Sequence, residues 1–204
     1  MESPTGILVG IEGIDAVGKR TQSTLLGSWL RSRNVTSNTI SFPDYSTVIG
    51  REIRGFLFGN RNYSPEVGHM LYAVNRWENK AKIQEMLSNS DVVIVNRYSA
   101  SNFAYGTAIG LQLDWLVNLE AGLPKADLVL VLDAPPSSVS SRRGLSKDKY
   151  EKNIDLQERV RTAYLRLAKQ FGWKVINAAQ GIQSTNSALT KEVVEVLQSR
   201  GQAT

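Results

Sequence analysis

Gly13-Ile14-Asp15-Ala16-Val17-Gly18-Lys19-Arg20-Thr21 lies between a short apolar run at 7–11 and an amphipathic segment at 19–33. Its spacing is G-x-x-x-x-G-K, in the strand–loop–helix setting that a phosphate loop requires. Gly13 and Gly18 allow the backbone to curl until its N–H groups converge on phosphate oxygens. The helix N-terminus adds partial positive charge there, and Lys19 a full one. Residues Gly13, Ile14, Asp15, Ala16, Val17, Gly18, Lys19, Arg20 and Thr21 are therefore expected to hold a nucleotide, with ATP and Mg²⁺ the usual pair. Arg20 departs from the pattern, because a Ser or Thr hydroxyl normally follows the lysine and holds Mg²⁺; Thr21 is one residue late. The plainer alternative is a glycine-rich turn without a ligand.

Outward from the loop, short β-branched runs alternate with long amphipathic segments, the pattern of βαβ units around a parallel sheet. Strands are expected at 7–11, 38–42, 92–95, 128–132 and 174–176. Ile49, Ile53, Phe56 and Leu57 fall on one face of a helix over 48–58. Ser64-Pro65-Glu66 is a helix start, with a capping hydroxyl, proline in the first turn and an acid at the positive end. That helix is expected to run to about residue 87. Val160, Ala163, Tyr164, Leu167, Ala168 and Phe171 mark a further helix face, and a helix closes the chain. The expected fold is an α/β doubly wound domain over 1–204, a five-stranded parallel sheet flanked by helices. Ligands in such sheets bind beyond the carboxyl ends of the strands.

Composition narrows the partners. The chain has 204 residues, 42% hydrophobic and 21% charged, enough for one sizeable core. It has no cysteine, which excludes a disulfide framework, a thiolate zinc site and a cysteine nucleophile. The apolar runs are too short to span a bilayer. The start, Met-Glu-Ser-Pro, lacks the features of a secretory signal, so a cytoplasmic location is expected. The net charge of +5 suits nucleic acid, a membrane surface or a phosphorylated small molecule. The densest basic stretch is Arg142, Arg143, Lys147, Lys149 and Lys152, with no nucleic-acid motif or polybasic tail. Small phosphates are the expected partners, and neither nucleic acid nor membrane.

Further segments occur in a telling order: Ile11-Glu12-Gly13-Ile14-Asp15, Phe42-Pro43, Asn75-Arg76-Trp77-Glu78, Asn96-Arg97-Tyr98, Leu123-Pro124-Lys125-Ala126-Asp127 and Asp148-Lys149-Tyr150-Glu151. Together, over 7–182, they resemble the thymidylate kinases, P-loop nucleoside monophosphate kinases that phosphorylate dTMP from ATP. The resemblance implies that Lys19, Arg97, Arg142 and Asp15 act in catalysis, and that Arg143 stacks on adenine within a basic lid at about 141–150. It places dTMP against Asp15, Phe42, Tyr72, Arg76, Arg97, Asn102, Tyr105 and Tyr150. Tyr72 stacks on thymine, Arg76 donates to a base carbonyl, Asn102 reads the base, and Tyr105 crowds the sugar 2′ position. Arg97 clamps the acceptor phosphate, a task suited to the guanidinium fork. Asp15 and Glu151 are the implied metal-side acids, Asn177-Ala178-Ala179-Gln180 the adenine-side loop, and a homodimer the usual assembly.

Plainer readings stand beside these: Tyr72 and Phe42 as core aromatics, Arg76 as a solvated charge, Asn102 and Tyr105 as ordinary helix residues, and the lid as a solvated basic loop. His69, the sole histidine, reads as structural. A second departure is Asn96, where the family carries aspartate. The rival functions are a kinase for another pyrimidine monophosphate such as dUMP, and a non-catalytic nucleotide switch. A GTPase-like switch needs Asn-Lys-x-Asp, which the chain lacks.

Overall fold

The computed structural model describes residues 6–139, 150 and 153–201. Strands β1 (Ile7–Gly13), β2 (Ser37–Ser41), β3 (Val92–Asn96), β4 (Leu128–Asp133) and β5 (Lys174–Asn177) form one sheet in the order β2-β3-β1-β4-β5. Every pairing is parallel. The expected doubly wound five-stranded sheet is therefore present. β1 lies at its centre, with Gly10 in register with Val95 on one side and Val129 on the other. Ile7, Leu8, Val9 and Ile11 are wholly buried, as a strand covered on both faces must be.

Alternation along β1 feeds two clusters. Ile7, Val9 and Ile11 join Leu26 and Leu30 of α1 (Lys19–Arg31), whereas Leu8 joins Val93, Val95, Ile83 and Leu87. The other helices are α2 (Val48–Leu57), α3 (Pro65–Glu78), α4 (Lys80–Asn89), α5 (Ser99–Ala108), α6 (Leu113–Leu119), α7 (Pro136–Val139), α8 (Ile154–Phe171) and α9 (Ile182–Ser199). Caps fix several starts. Thr47 accepts from Gly50 N, Ser64 from Val67 N, and Asn153 from Leu156 N.

The single helix expected from Ser64 to about residue 87 is two helices. Asn79 Nδ2 donates to Asn75 O at 2.9 Å, while its backbone N–H turns to Arg76 O. The side-chain amide takes the carbonyl that an unbroken helix would bond through its backbone. The chain bends there into α4. The helix α6, only seven residues long, is also absent from the sequence reading.

Candidate active site

The parallel arrangement brings the ends of β1, β2 and β3 to one sheet edge, where Ile11 and Ser41 both register with Asn96. The phosphate loop leaves β1 at that edge. Gly13 has φ +129°, and a Cβ there would lie 2.5 Å from Leu132 O, so no other residue fits. Gly18 has φ +108° and caps α1. Lys19 Nζ donates to Gly13 O (3.0 Å) and Ile14 O (2.6 Å), which holds the ammonium over the loop.

Asp15 is the hub of the site. Its Oδ1 accepts from Arg97 Nη2, and its Oδ2 from Tyr105 OH (2.9 Å) and Gln157 Nε2 (2.8 Å). Gln157 Oε1 in turn accepts from the Asp15 backbone N–H at 3.0 Å. Burial works to raise the Asp15 carboxyl, but the charges of Arg97 and Lys19 and these two side-chain hydrogen bonds outweigh it, so its pKa lies below the ordinary value. Burial likewise opposes the Arg97 charge, and the Asp15 carboxylate holds it protonated well above the usual range. Burial pushes the Tyr105 phenol far upward, so it serves as a donor to Asp15.

Arg97 itself has φ +58°, a conformation that non-glycine residues seldom adopt. The neighbouring contacts enforce it. Arg97 N donates to Ile11 O at 3.2 Å, and Tyr98 N donates to the carboxylate of Glu12 at 2.6 Å. Glu12 is wholly buried and also accepts from Ser101 Oγ (2.6 Å) and Tyr164 OH (3.0 Å). Burial raises its pKa despite these donors.

Two clefts open from this hub. One, open to solvent, takes in about 580 Å³ among Asp15, Phe42, Tyr72, Arg76, Arg97, Asn102, Tyr105 and Tyr150, with Pro43, Tyr45, Leu57, His69 and Ser101. All eight residues expected around the acceptor thus line one cavity. The other, about 1110 Å³, runs along the phosphate loop and α1, from Asp15 to Gln22, against Ala178, Gly181, Ile182 and Thr185. The clefts share Asp15 and Arg97.

The detail differs from expectation at several residues. Arg76 is buried, with Nε and Nη2 both on the Glu120 carboxylate, rather than solvated. Asn102 lines the cleft but its amide bonds His69 and Glu120. His69 is buried in the cleft wall, its ring edge-on to Tyr72. Asn96 is tied by hydroxyls: Ser23 donates to Oδ1, and Nδ2 donates to Ser41 Oγ at 3.1 Å. Arg20 and Thr21 are exposed at the start of α1. Arg142, Arg143, Lys147, Lys149, Glu151 and most of the expected lid lie outside the described residues.

Sequence reasoning missed Gln157, Glu120 and Glu12. Gln157 and Glu12 did leave a signal, being polar residues on an apolar helix face and within an apolar strand. Glu120 left none.

A family model for thymidylate kinase matches residues 11–189. The chain is 33% identical to the thymidylate kinase of Plasmodium falciparum over 94% of its own length and 91% of that protein. It is 32% identical to that of Homo sapiens, over 91% of its own length and 89% of the other. The solved structure of thymidylate kinase from Candida albicans superposes with a TM-score of 0.82 at 29% identity, covering 98% of this chain and 94% of that one. The chain belongs to the thymidylate kinase family. It is an ATP-dependent nucleoside monophosphate kinase that converts dTMP to dTDP, and the switch reading is set aside. Among the described residues no helix is long and apolar enough to cross a membrane.

Proposed function

We propose that dTMP occupies the 580 Å³ cleft and ATP the phosphate-loop cleft, with transfer between them at Asp15 and Arg97. The observation that carries this assignment is the sharing of those two side chains by both cavities. The acceptor phosphate must reach the hub, where Arg97 supplies a guanidinium held by Asp15 and 5.4 Å from the Tyr105 ring. Lys19 neutralises the donor phosphates from the other side. Phosphoryl transfer passes through a loose transition state, so alignment and charge neutralisation supply most of the catalysis. Tyr72, Phe42 and Leu57 give the base an apolar surround, Arg76 a donor, and Tyr105 a bulky neighbour for the sugar.

The donor set suits a Mg²⁺ held chiefly by ATP oxygens and water. The position after Lys19 carries no hydroxyl, and both Asp15 oxygens already accept hydrogen bonds, which leaves Asp15 a water-mediated role beside Glu151. When bound, the ion would neutralise charge on the ATP phosphates. No cluster of three or more acids and histidines occurs among the described residues. Arg142 and Arg143 retain the lid roles that the family resemblance implies.

We also propose a cytoplasmic homodimer. Val67, Met70, Val74 and Trp77, spaced three, four and three residues apart on α3, are each 38–41% exposed on one face. That is an apolar stripe of the kind a second copy covers. A coupled ADP-release assay over a panel of nucleoside monophosphates tests the acceptor. The expected result is dTMP best and dUMP modestly slower, because a missing methyl costs about 1–3 kcal/mol. Equal turnover of CMP, AMP or GMP would sink the assignment.

A further inference from the structure

Behind the wall of the acceptor cleft, against its lining residues Arg76 and Asn102, lies a buried acid that the transfer chemistry does not use. Glu120 follows α6, with its side chain 5% exposed. Its Oε2 accepts from Arg76 Nε (2.8 Å) and Ser99 Oγ (3.1 Å), and its Oε1 from Arg76 Nη2 and Asn102 Nδ2 (2.8 Å). Asn102 Oδ1 lies 2.7 Å from His69 Nδ1. Because the Asn102 nitrogen faces a carboxylate, the atom facing His69 is the oxygen, so Nδ1 is the protonated ring nitrogen. The amide of Asn102 is thus engaged by protein at both ends. Two of the three Arg76 nitrogens are held by Glu120. The third, Nη1, makes no hydrogen bond among the described residues, and Arg76 lines the cleft.

We propose that Glu120 is a positioning residue that sets which pyrimidine the cleft accepts, acting through Arg76 and Asn102. By gripping one edge of the guanidinium it stops Arg76 from turning, and it leaves Nη1 as the donor offered to the base. A ring carbonyl, as in thymine or uracil, satisfies that donor. Cytosine presents an amino group at the same ring position, so two donors would face each other with no acceptor between them, and such buried mismatches discriminate strongly. Asn102, with its donor on Glu120 and its acceptor on His69, cannot rotate to compensate. This inference rests on the reading that the cleft takes the acceptor base.

The test is steady-state kinetics of Glu120→Gln and Glu120→Asp with dTMP, dCMP and ATP, alongside Arg76→Met. In Glu120→Gln the amide sets a donor against Arg76 and the guanidinium turns. KM for dTMP should rise about tenfold, and the preference for dTMP over dCMP should narrow. KM for ATP should stay within about twofold, since Arg76 and Asn102 line the acceptor cleft and neither lines the phosphate-loop cleft. Glu120→Asp keeps the charge but falls one methylene short, and should show the same pattern at about threefold. If Glu120→Gln fails to fold, the aspartate variant and Ser99→Ala, which removes one donor to Oε2, decide by the same ratio. Wild-type dTMP affinity and selectivity in the folded Glu120 variants, or KM for dTMP and ATP rising together, overturns the proposal. If Arg76→Met also leaves KM for dTMP unchanged, it is the placement of the base in this cleft that fails.

Discussion

Asp15→Asn changes one atom of the hub, and the structure gives its cost. The carboxylate accepts from Arg97 at Oδ1 and from Tyr105 and Gln157 at Oδ2. An asparagine there has one acceptor. Turned one way, its NH₂ meets the Arg97 guanidinium; turned the other, it meets Gln157 Nε2. Gln157 cannot flip without giving up the bond its Oε1 receives from the backbone of residue 15. Hydrogen bonds to charged groups are worth about 1.5–3 kcal/mol, and removing one partner of a fully buried ion pair costs about 3–5 kcal/mol. Arg97 keeps 21% of its side-chain surface exposed, so solvent offsets part of the loss. The expected destabilisation is about 2–3 kcal/mol, a Tm drop of roughly 4–12 °C for a chain of this size.

The pH dependence adds a sign. The Asp15 carboxyl titrates below its ordinary 3.8 in the folded state. Its stabilisation is therefore complete above about 3.8, the unfolded value, and is lost as pH falls through the lower folded value. Thermal unfolding followed by circular dichroism from pH 7 to pH 3 should show wild type and Asp15→Asn furthest apart near neutrality and converging at the acid end. Activity near pH 7 should fall about 100-fold or more in kcat/KM for dTMP, because Arg97 loses its orientation. A variant with wild-type Tm at neutral pH and a parallel acid profile would refute the hub.

Lys19→Ala should abolish transfer while leaving the circular dichroism spectrum and Tm close to wild type, because the Lys19 ammonium is held by the loop carbonyls of Gly13 and Ile14 and not by the apolar core; near-normal kcat would remove the loop from the chemistry. Arg97→Lys should weaken dTMP binding by about tenfold in calorimetry, since lysine is a point charge without the fork, with ATP binding largely retained. Asn96→Asp should stay within about threefold of wild-type kcat, as both Ser23 and Ser41 are hydroxyls that can donate to a carboxylate. A double Met70→Glu, Val74→Glu variant should run as a monomer in sedimentation, and an unchanged mass would remove α3 from the interface.

The sheet was legible because its cues are local: apolar runs of four or five residues, glycines at a strand end, and capping residues before helices. The break at Asn79 was not, because it depends on which of two donors wins Asn75 O, and no periodicity encodes that contest. The same division runs through the site. Residues proposed to meet a ligand, such as Lys19 and Arg97, stand in motifs of fixed spacing. Residues that meet other residues do not. Glu120 reaches Arg76 across 44 positions and Gln157 reaches Asp15 across 142, distances at which only the folded chain shows a pair. Gln157 could have been found as a polar residue among Leu156, Val160 and Tyr164; Glu120 stands in a short helix-to-turn segment where an acid is unremarkable.

The two departures from the family pattern, Arg20 and Asn96, make sense against that network. Position 96 is 8% exposed, so a carboxylate there would bear a desolvation cost. Asparagine avoids the desolvation of a second buried charge, and it still ties α1 to β3 and β2 through Ser23 and Ser41. The tie between α1 and strands β3 and β2 is thus made of neutral hydrogen bonds. Charge is carried by Lys19 and Arg97, with Arg20 adding a cation at the exposed start of α1. A reaction that rests on neutralising phosphate oxygens is compatible with that exchange, which leaves position 96 neutral and adds a cation at Arg20 along the phosphate-loop cleft.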